Sequence, residues 1–192
     1  MEYMEYKGNR FRIEPADSWY RKDSEYRISV EEISSRHVWM PASYKGKPVT
    51  EWQENRFERR QFDKAKILYI SPSLKRIQIN NYIFPELEKV EVDPSNSEFF
   101  SDDRLIITQK NRELLYCPVC KGAYIKIPDS VREIQEDAFC GTKYQEIKFY
   151  GKETRIAKHA FRGSACQKLC KGKREHTGQY ASCHTAADPL SL

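Results

Sequence analysis

Residues 127–149 read IPDSVREIQEDAFCGTKYQEIKF, and residues 150–169 read YGKETRIAKHAFRGSACQKL. Placing Phe139 on Phe161 brings Ala138 onto Ala160, Ile134 onto Ile156 and Gly141 onto Gly163. The step from 139 to 161 is a period of about 22 residues, at the short end of the ~20–50 that mark repeat architectures. The spacing recurs upstream. In KPVTEWQENRF (47–57) Trp52 stands five residues before Phe57. In SPSLKRIQINNYIF (71–84) Leu74 and Ile77 lead and Ile79 stands five before Phe84, with two extra residues. A unit this short cannot close a core alone. Each must bury one face against its neighbours, which predicts a solenoid.

Elsewhere in each unit the chain alternates: Leu68 and Ile70, Val90 and Val92, Ile125 and Ile127, Ile147 and Phe149. Alternation with period two marks a half-buried strand, so these segments are expected to stack in parallel at roughly 4.8 Å. The Ile-x-x-x-x-Phe segment returns the chain on the opposite side of the coil, its Phe filling the interior. Pro48, Pro72 and Pro128 fall between strand and return segment, where no ladder donor is needed. Phe57, Phe84, Phe139 and Phe161 are thereby expected to form one continuous column.

Composition agrees with an elongated shape. Of 192 residues, 39% are hydrophobic and 32% charged, against roughly 45–50% and 25% in typical globular domains. Much of the surface must therefore stay wet. The net charge of +5 is the difference of 33 basic and 28 acidic residues, so the signs are mixed, and no nucleic-acid partner is expected. The N-terminus, MEYMEYKGNRFRIEP, lacks a basic segment followed by an apolar one, and no window approaches the ~18 apolar residues of a membrane span. With six cysteines and no visible export signal, reduced thiols and a cytoplasmic location are expected.

The stretch IPDSVREIQEDAF (127–139) resembles the repeat of the BspA-like bacterial leucine-rich-repeat family, whose units run close to I-P-x-S-V-x-x-I-G-x-x-A-F. YKGKPVTEW (44–52) resembles the family's entry repeat. VEVDPSNSEFFSDDRLIITQKNRELLYCPVCKGAYIKIPDSV (90–131) resembles its long unit, in which a small hairpin interrupts the array. Trp52 and Gln53 replace the usual Ile-Gly, and INNYIF (79–84) is irregular where Ala-Phe is the rule. The resemblance implies an α/β, strand-rich fold: a short leucine-rich-repeat solenoid with parallel strands. Residues 1–43 would form an N-terminal strand cap, 44–169 an array of about four units with an inserted hairpin near 93–123, and 170–192 a weakly structured tail. It also implies a secreted or cell-surface protein as the alternative to a cytoplasmic one.

CPVCKG (117–122) raises the question of zinc. Four ligands are needed, and Cys117 and Cys120 would draw them from Cys166 and Cys170 or from His176, Cys183 and His184. Those residues lie past two further repeats, so the tail would have to fold back along the array. The plainer reading is two small thiols in a turn, with Cys140 and Cys166 as packing residues, and no cofactor is expected. The four histidines, including His37 and His159, are scattered. Asp102–Asp103 read as a turn between hairpin strands, and no phosphate-binding Gly-rich loop or His-Glu-x-x-His pair appears. Catalysis is not expected.

What remains is the outer strand face. If the aliphatic alternates point inward, one outward column holds Ile67, Lys89, Tyr124 and Glu146, and the next holds Tyr69, Glu91, Lys126 and Lys148. A solenoid offers such a ladder to a protein partner; plain solvent exposure is the competing reading. RFRIE, YRISV and HVWMP alternate within residues 10–41 and suggest two or three cap strands. Trp19, Tyr20 and Trp39 would pack there, or stack on carbohydrate.

Overall fold

The computed structural model describes residues 2–16, 24–54, 60–119, 122–150, 154–171 and 183–185. The chain opens with an antiparallel meander of β1 (Glu2–Tyr6), β2 (Asn9–Pro15) and β3 (Tyr26–Ile33). Lys7 and Gly8 turn the first hairpin with φ of 49° and 76°. A two-residue turn between twisted strands requires that left-handed pair. Two parallel ladders follow. β4 (His37–Trp39) pairs with β7 (Ile67–Ile70), which pairs with β9 (Lys89–Val92). After the short β5 (Ser43–Tyr44), β6 (Lys47–Gln53) lies between β3 and β8 (Arg76–Gln78), parallel to both.

These pairings move the start of the array. Alternation alone assigns HVWMP to the cap, but its β4 is the first rung of a solenoid ladder, and β3 is the first rung of the other. The coils therefore begin near residue 26, and β1 and β2 alone lie beyond them. Trp19 and Tyr20 lie outside the described residues.

A second meander, β10 (Phe99–Asp102), β11 (Leu105–Thr108) and β12 (Glu113–Tyr116), occupies the inserted unit. Beyond it the ladders resume. β13 (Tyr124–Ile127) pairs in parallel with β15 (Glu146–Phe149) and β15 with β17 (Lys168–Lys171). On the other side β12 pairs in parallel with β14 (Glu133–Ile134), and β14 with β16 (Arg155–Ile156). From the tail, β18 (Cys183–Thr185) adds antiparallel to β17. The rest of the segment expected to be weakly structured, 172–182 and 186–192, lies outside the described residues.

The described residues are all-β, which corrects the α/β expectation. Only five residues carry the chain from Ile134 to Phe139, far below the ~12 that make a helix worthwhile. Stacked turns do the work instead. Ala138, Cys140 and Thr142 donate their N–H groups to the carbonyls of Gln135, Asp137 and Phe139. One period later, Ala160, Arg162 and Ser164 repeat the pattern onto Ala157, His159 and Phe161. Even the left-handed positions recur, Asp137 with His159 (φ 59° and 62°) and Gly141 with Gly163 (φ 70° and 64°). Asp and His are among the non-glycine residues that tolerate that region best.

The interior is two clusters, not one column. Phe139 is fully buried and its ring lies 5.1 Å from that of half-buried Phe161. Phe84 is fully buried in the other cluster, where its ring meets Trp52 at 6.2 Å and Phe62 at 5.7 Å. Phe57 lies outside the described residues. Between the clusters the column is carried by Cys117. Its N–H donates to Ala138 C=O as that of Phe139 donates to Ala160 C=O, one period later. A thiol thus stands where the regular coils hold a benzyl ring, and a ring column cannot pass it.

Asn81 ties the clusters together. Buried between them, it donates to the carbonyls of Cys117 (2.9 Å) and Cys140 (2.8 Å) and accepts from Tyr116 Oη (2.6 Å). Its polar capacity is largely used, as a buried amide requires.

Candidate functional site

The aliphatic alternates do point inward: Leu68, Ile70, Val90, Val92, Ile125, Ile127 and Ile147 are buried, and Phe149 is half-buried. Their neighbours face out, but on two separate sheets. In register across β4, β7 and β9 stand His37, Ile67 and Lys89, then Trp39, Tyr69 and Glu91. Across β13, β15 and β17 stand Tyr124, Glu146 and Lys168, then Lys126, Lys148 and Cys170. The eight residues singled out from sequence are therefore brought together in two groups of four. The second meander enters where the ladder would have joined them.

The first group is closed on itself. The rings of Trp39 and Tyr69 stack at 3.6 Å with 3° between planes, and Lys7 Nζ lies 3.7 Å over the Trp39 ring. Both cannot occupy one face of the indole, so its two faces are covered, and it offers no free platform for a sugar. His37 stacks on Tyr69 at 5.7 Å, and its Nδ1 shares a 3.0 Å hydrogen bond with Tyr69 Oη. Lys89 Nζ donates to Glu91 Oε1 at 2.7 Å, and this bond holds the lysine pKa above its ordinary value. The part played by His37, Trp39 and Lys7 escapes a sequence reading that places β4 in the cap.

The second group is more open. Tyr124 is 49% exposed and Lys126 is exposed. Lys148 Nζ sits 4.4 Å over the Tyr124 ring and 3.6 Å from Glu146 Oε2, while Glu146 Oε1 accepts from Cys170 Sγ at 3.1 Å. Lys126 stands beside Lys148 in register. Next to it, between β13 and the tip of the β10–β11 hairpin, lies a cleft of about 600 Å³ bordered by Asp102, Asp103, Arg104, Lys126, Tyr144 and Tyr150.

The cysteine reading divides. Cys117 is fully buried in the second cluster, its Sγ toward Pro118 C=O. Cys170 lies in β17 on the strand side of the coil, half-buried Cys166 donates to Lys168 C=O, and Cys120 is outside the described residues. Cys117 lies on the return side of the coil and Cys170 on the strand side. Among the described residues no three His, Cys, Asp or Glu side chains could hold a metal ion. Burial raises the Cys166 pKa, which disfavours its thiolate. As for acid–base candidates, Asp103 occupies the hairpin turn (φ 56°) and pairs with Arg104, and His159 is exposed at a left-handed turn.

Parallel ladders on both sides of a coil, with turns and contacts recurring at one period, define a β-solenoid. Residues 114–182 match the profile of the BspA type leucine rich repeat region (6 copies), so that stretch of the chain is similar to this repeat family. Among solved structures, the pneumococcal vaccine antigen PcpA is 10% identical, with 88% of this chain and 69% of that one covered and a TM-score of 0.49. A leucine-rich repeat protein from Eubacterium ventriosum is 12% identical over 88% of this chain and 71% of that one, with a TM-score of 0.48. A leucine rich cell surface protein from Faecalibacterium prausnitzii is 10% identical over 90% and 77%, with a TM-score of 0.40. No curated protein matches the chain.

Proposed function

We propose that the protein is a non-enzymatic protein–protein interaction module that binds its partner through the outer strand face, chiefly on the sheet of β13, β15 and β17. The observation that carries this reading is the open group there. Tyr124 and Lys126 are exposed at neighbouring outward positions, beside a lysine that is already engaged by an aromatic ring and a carboxylate. A rigid ladder holding an aromatic and cations in fixed register fits a partner surface at little ordering cost. The first group, whose rings stack on one another, serves the fold.

The test is partner capture with the parent protein and with a Lys126→Glu, Lys148→Glu double variant. The parent should retain a partner that the variant loses, with unchanged circular dichroism. An unaltered partner set in the variant would overturn the face as the binding surface. The same proposal puts the protein in the cytoplasm, where its cysteines would stay reduced. A surface location is the alternative that the family brings, and cell fractionation separates the two.

A further inference from the structure

The two solenoid ladders on the strand side each end at the inserted unit, and their ends differ. In a parallel pair, the N–H and C=O of one residue point to the same neighbour, and the next residue's point the other way. Glu88 and Lys89 donate to Lys66 C=O, and Asp93 to Ile70 C=O, so the alternate residues Val90 and Val92 turn their backbone outward from β9. That edge is partly closed: Val92 N–H donates to Ser101 Oγ at 3.2 Å. Across the gap, Gln145 and Glu146 donate to Ala123 C=O. Residues 123, 125 and 127 therefore serve β15, and Tyr124 and Lys126 turn their backbone groups away from it. β13 is the terminal strand of its sheet, and among the described residues these groups of Tyr124 and Lys126 meet no partner. They open into the cleft of about 600 Å³.

We propose that this edge of β13 accepts an added strand from an acidic, extended segment of a protein partner. This surface is distinct from the outer face. Four backbone groups, the N–H and C=O of Tyr124 and of Lys126, supply the ladder, as in strand addition generally. Side chains on the added strand alternate. Those level with Ile125 and Ile127 share the inward side with these two aliphatic side chains, and so call for aliphatic residues. Those level with Tyr124 and Lys126 point outward. Lys126 is flanked in register by Lys148, whose charge is already matched by Glu146, so the cation awaiting a cross-strand partner is Lys126. Opposite charges directly across a ladder attract and like charges repel. The same lysine disfavours pairing of β13 with β13 of a second copy, which is how edge strands are kept from self-association. At the Lys126 register charge thus selects an acidic residue over the lysine of a second copy, while Asp102, Asp103 and Asp129 border the same cleft.

The probe is a fluorescein-labelled peptide of alternating glutamate and valine, with an alternating lysine–valine peptide and a proline-interrupted glutamate–valine peptide as controls, titrated by anisotropy. The first should bind and the controls should not. Tyr124→Pro removes one outward N–H without touching the bonds to β15 and should weaken binding roughly three- to tenfold. Lys126→Glu should weaken it by about fivefold and improve the lysine–valine peptide. In the unaltered protein, amide exchange at Tyr124 and Lys126 should slow when the peptide is present, a readout independent of whether the proline variant folds. Failure of the glutamate–valine peptide to bind, or unchanged exchange at both amides, overturns the proposal. Binding that survives Tyr124→Pro but is lost in Lys148→Glu places the peptide on the outer face; that outcome overturns strand addition while leaving the face reading intact.

Discussion

The coils on either side of Asn81 solve one packing problem in two ways. In the C-terminal coils, register partners stand one period apart on both ladders: Tyr124, Glu146 and Lys168 on one, Ile134 and Ile156 on the other. The exception is the entering step from Leu114 to Ile134, which is two residues shorter. In the N-terminal coils the steps are unequal and longer. One ladder runs from Ile28 to Trp52 to Ile77. The other steps from His37 to Ile67, the longest of all, before Ile67 to Lys89 returns to the regular spacing. Where the period is strict, one aromatic per coil fills the interior and stacks on its equivalent. Where it varies, Phe11, Trp52 and Phe84 meet edge to face at 6.4 and 6.2 Å, and a buried carboxylate enters the core. Glu54 accepts from Val30 N–H at 2.9 Å and from the Trp52 indole. Strict repetition makes a core of interchangeable parts, and irregular length makes one whose parts fit only each other.

The largest effect should come from emptying the ring position. Phe139→Ala removes a fully buried side chain from the regular cluster and should cost about 3–5 kcal/mol by chemical denaturation. Half-buried Phe161→Ala should cost clearly less. Equal losses at the two sites would mean that burial of the ring does not set its contribution to these coils.

Next comes the join. Asn81→Leu leaves two carbonyls and a tyrosine hydroxyl without their partner, at about 1–3 kcal/mol for each group left dry. Solenoid stability is a sum of coil and interface terms, so the variant should also unfold in two steps, read by non-coincident tryptophan fluorescence and far-UV signals. The buried Trp52 reports on the N-terminal coils. A single coincident transition would show that the clusters are coupled by packing rather than through this amide.

How much of this is legible in the sequence follows from the same contrast. Features that obey the strict period can be read directly: β13, β15, the inward aliphatics, the Phe139–Phe161 contact. Cys117 obeys it too, one period before Phe139. Yet it reads as a turn residue or a metal ligand, because a thiol in a ring's place gives no pattern to match. Register in the N-terminal coils is not legible. Alignment on Phe84 matches Ile79 to Trp52, whereas the ladder pairs Ile77 with Trp52 and lets the two extra residues lengthen the return turn. The first rungs, β3 and β4, read as cap because alternation identifies a strand but not its neighbour. The candidate face suffers most. Its residues are recognisable as outward, but the break between β9 and β13 follows from where the inserted meander docks, and local sequence does not carry that.

A smaller effect tests the return turns. Tyr82 lies across two later coils: a Cβ on Gly163 would fall 2.6 Å from its hydroxyl, and one on Gly141 would fall 3.8 Å from its ring. Gly163→Ala meets both that contact and a φ of 64°, which costs a non-glycine residue roughly 1–2 kcal/mol. Adding Tyr82→Phe removes the hydroxyl and should recover part of the loss in a double-mutant cycle, leaving the backbone share. No recovery would mean the backbone term is the whole cost.

The smallest effect lies at the entrance to the inserted unit, where regular and irregular coils meet. Asp93 Oδ1 accepts from Ser95 Oγ at 2.6 Å and Ser95 N–H at 2.9 Å. These bonds, the hydroxyl's first, hold the carboxyl below its ordinary pKa. A depressed folded-state pKa means the unfolded chain takes up the proton first on acidification. The stabilisation is therefore whole above the unfolded value, about 3.9, and is lost as pH falls through the folded one. Asp93→Asn keeps an acceptor but not the charge, so it should be slightly less stable than the parent near neutrality. The gap in Tm should close between about pH 5 and pH 2. A gap that stays constant over that range would show that shape, not charge, closes this turn.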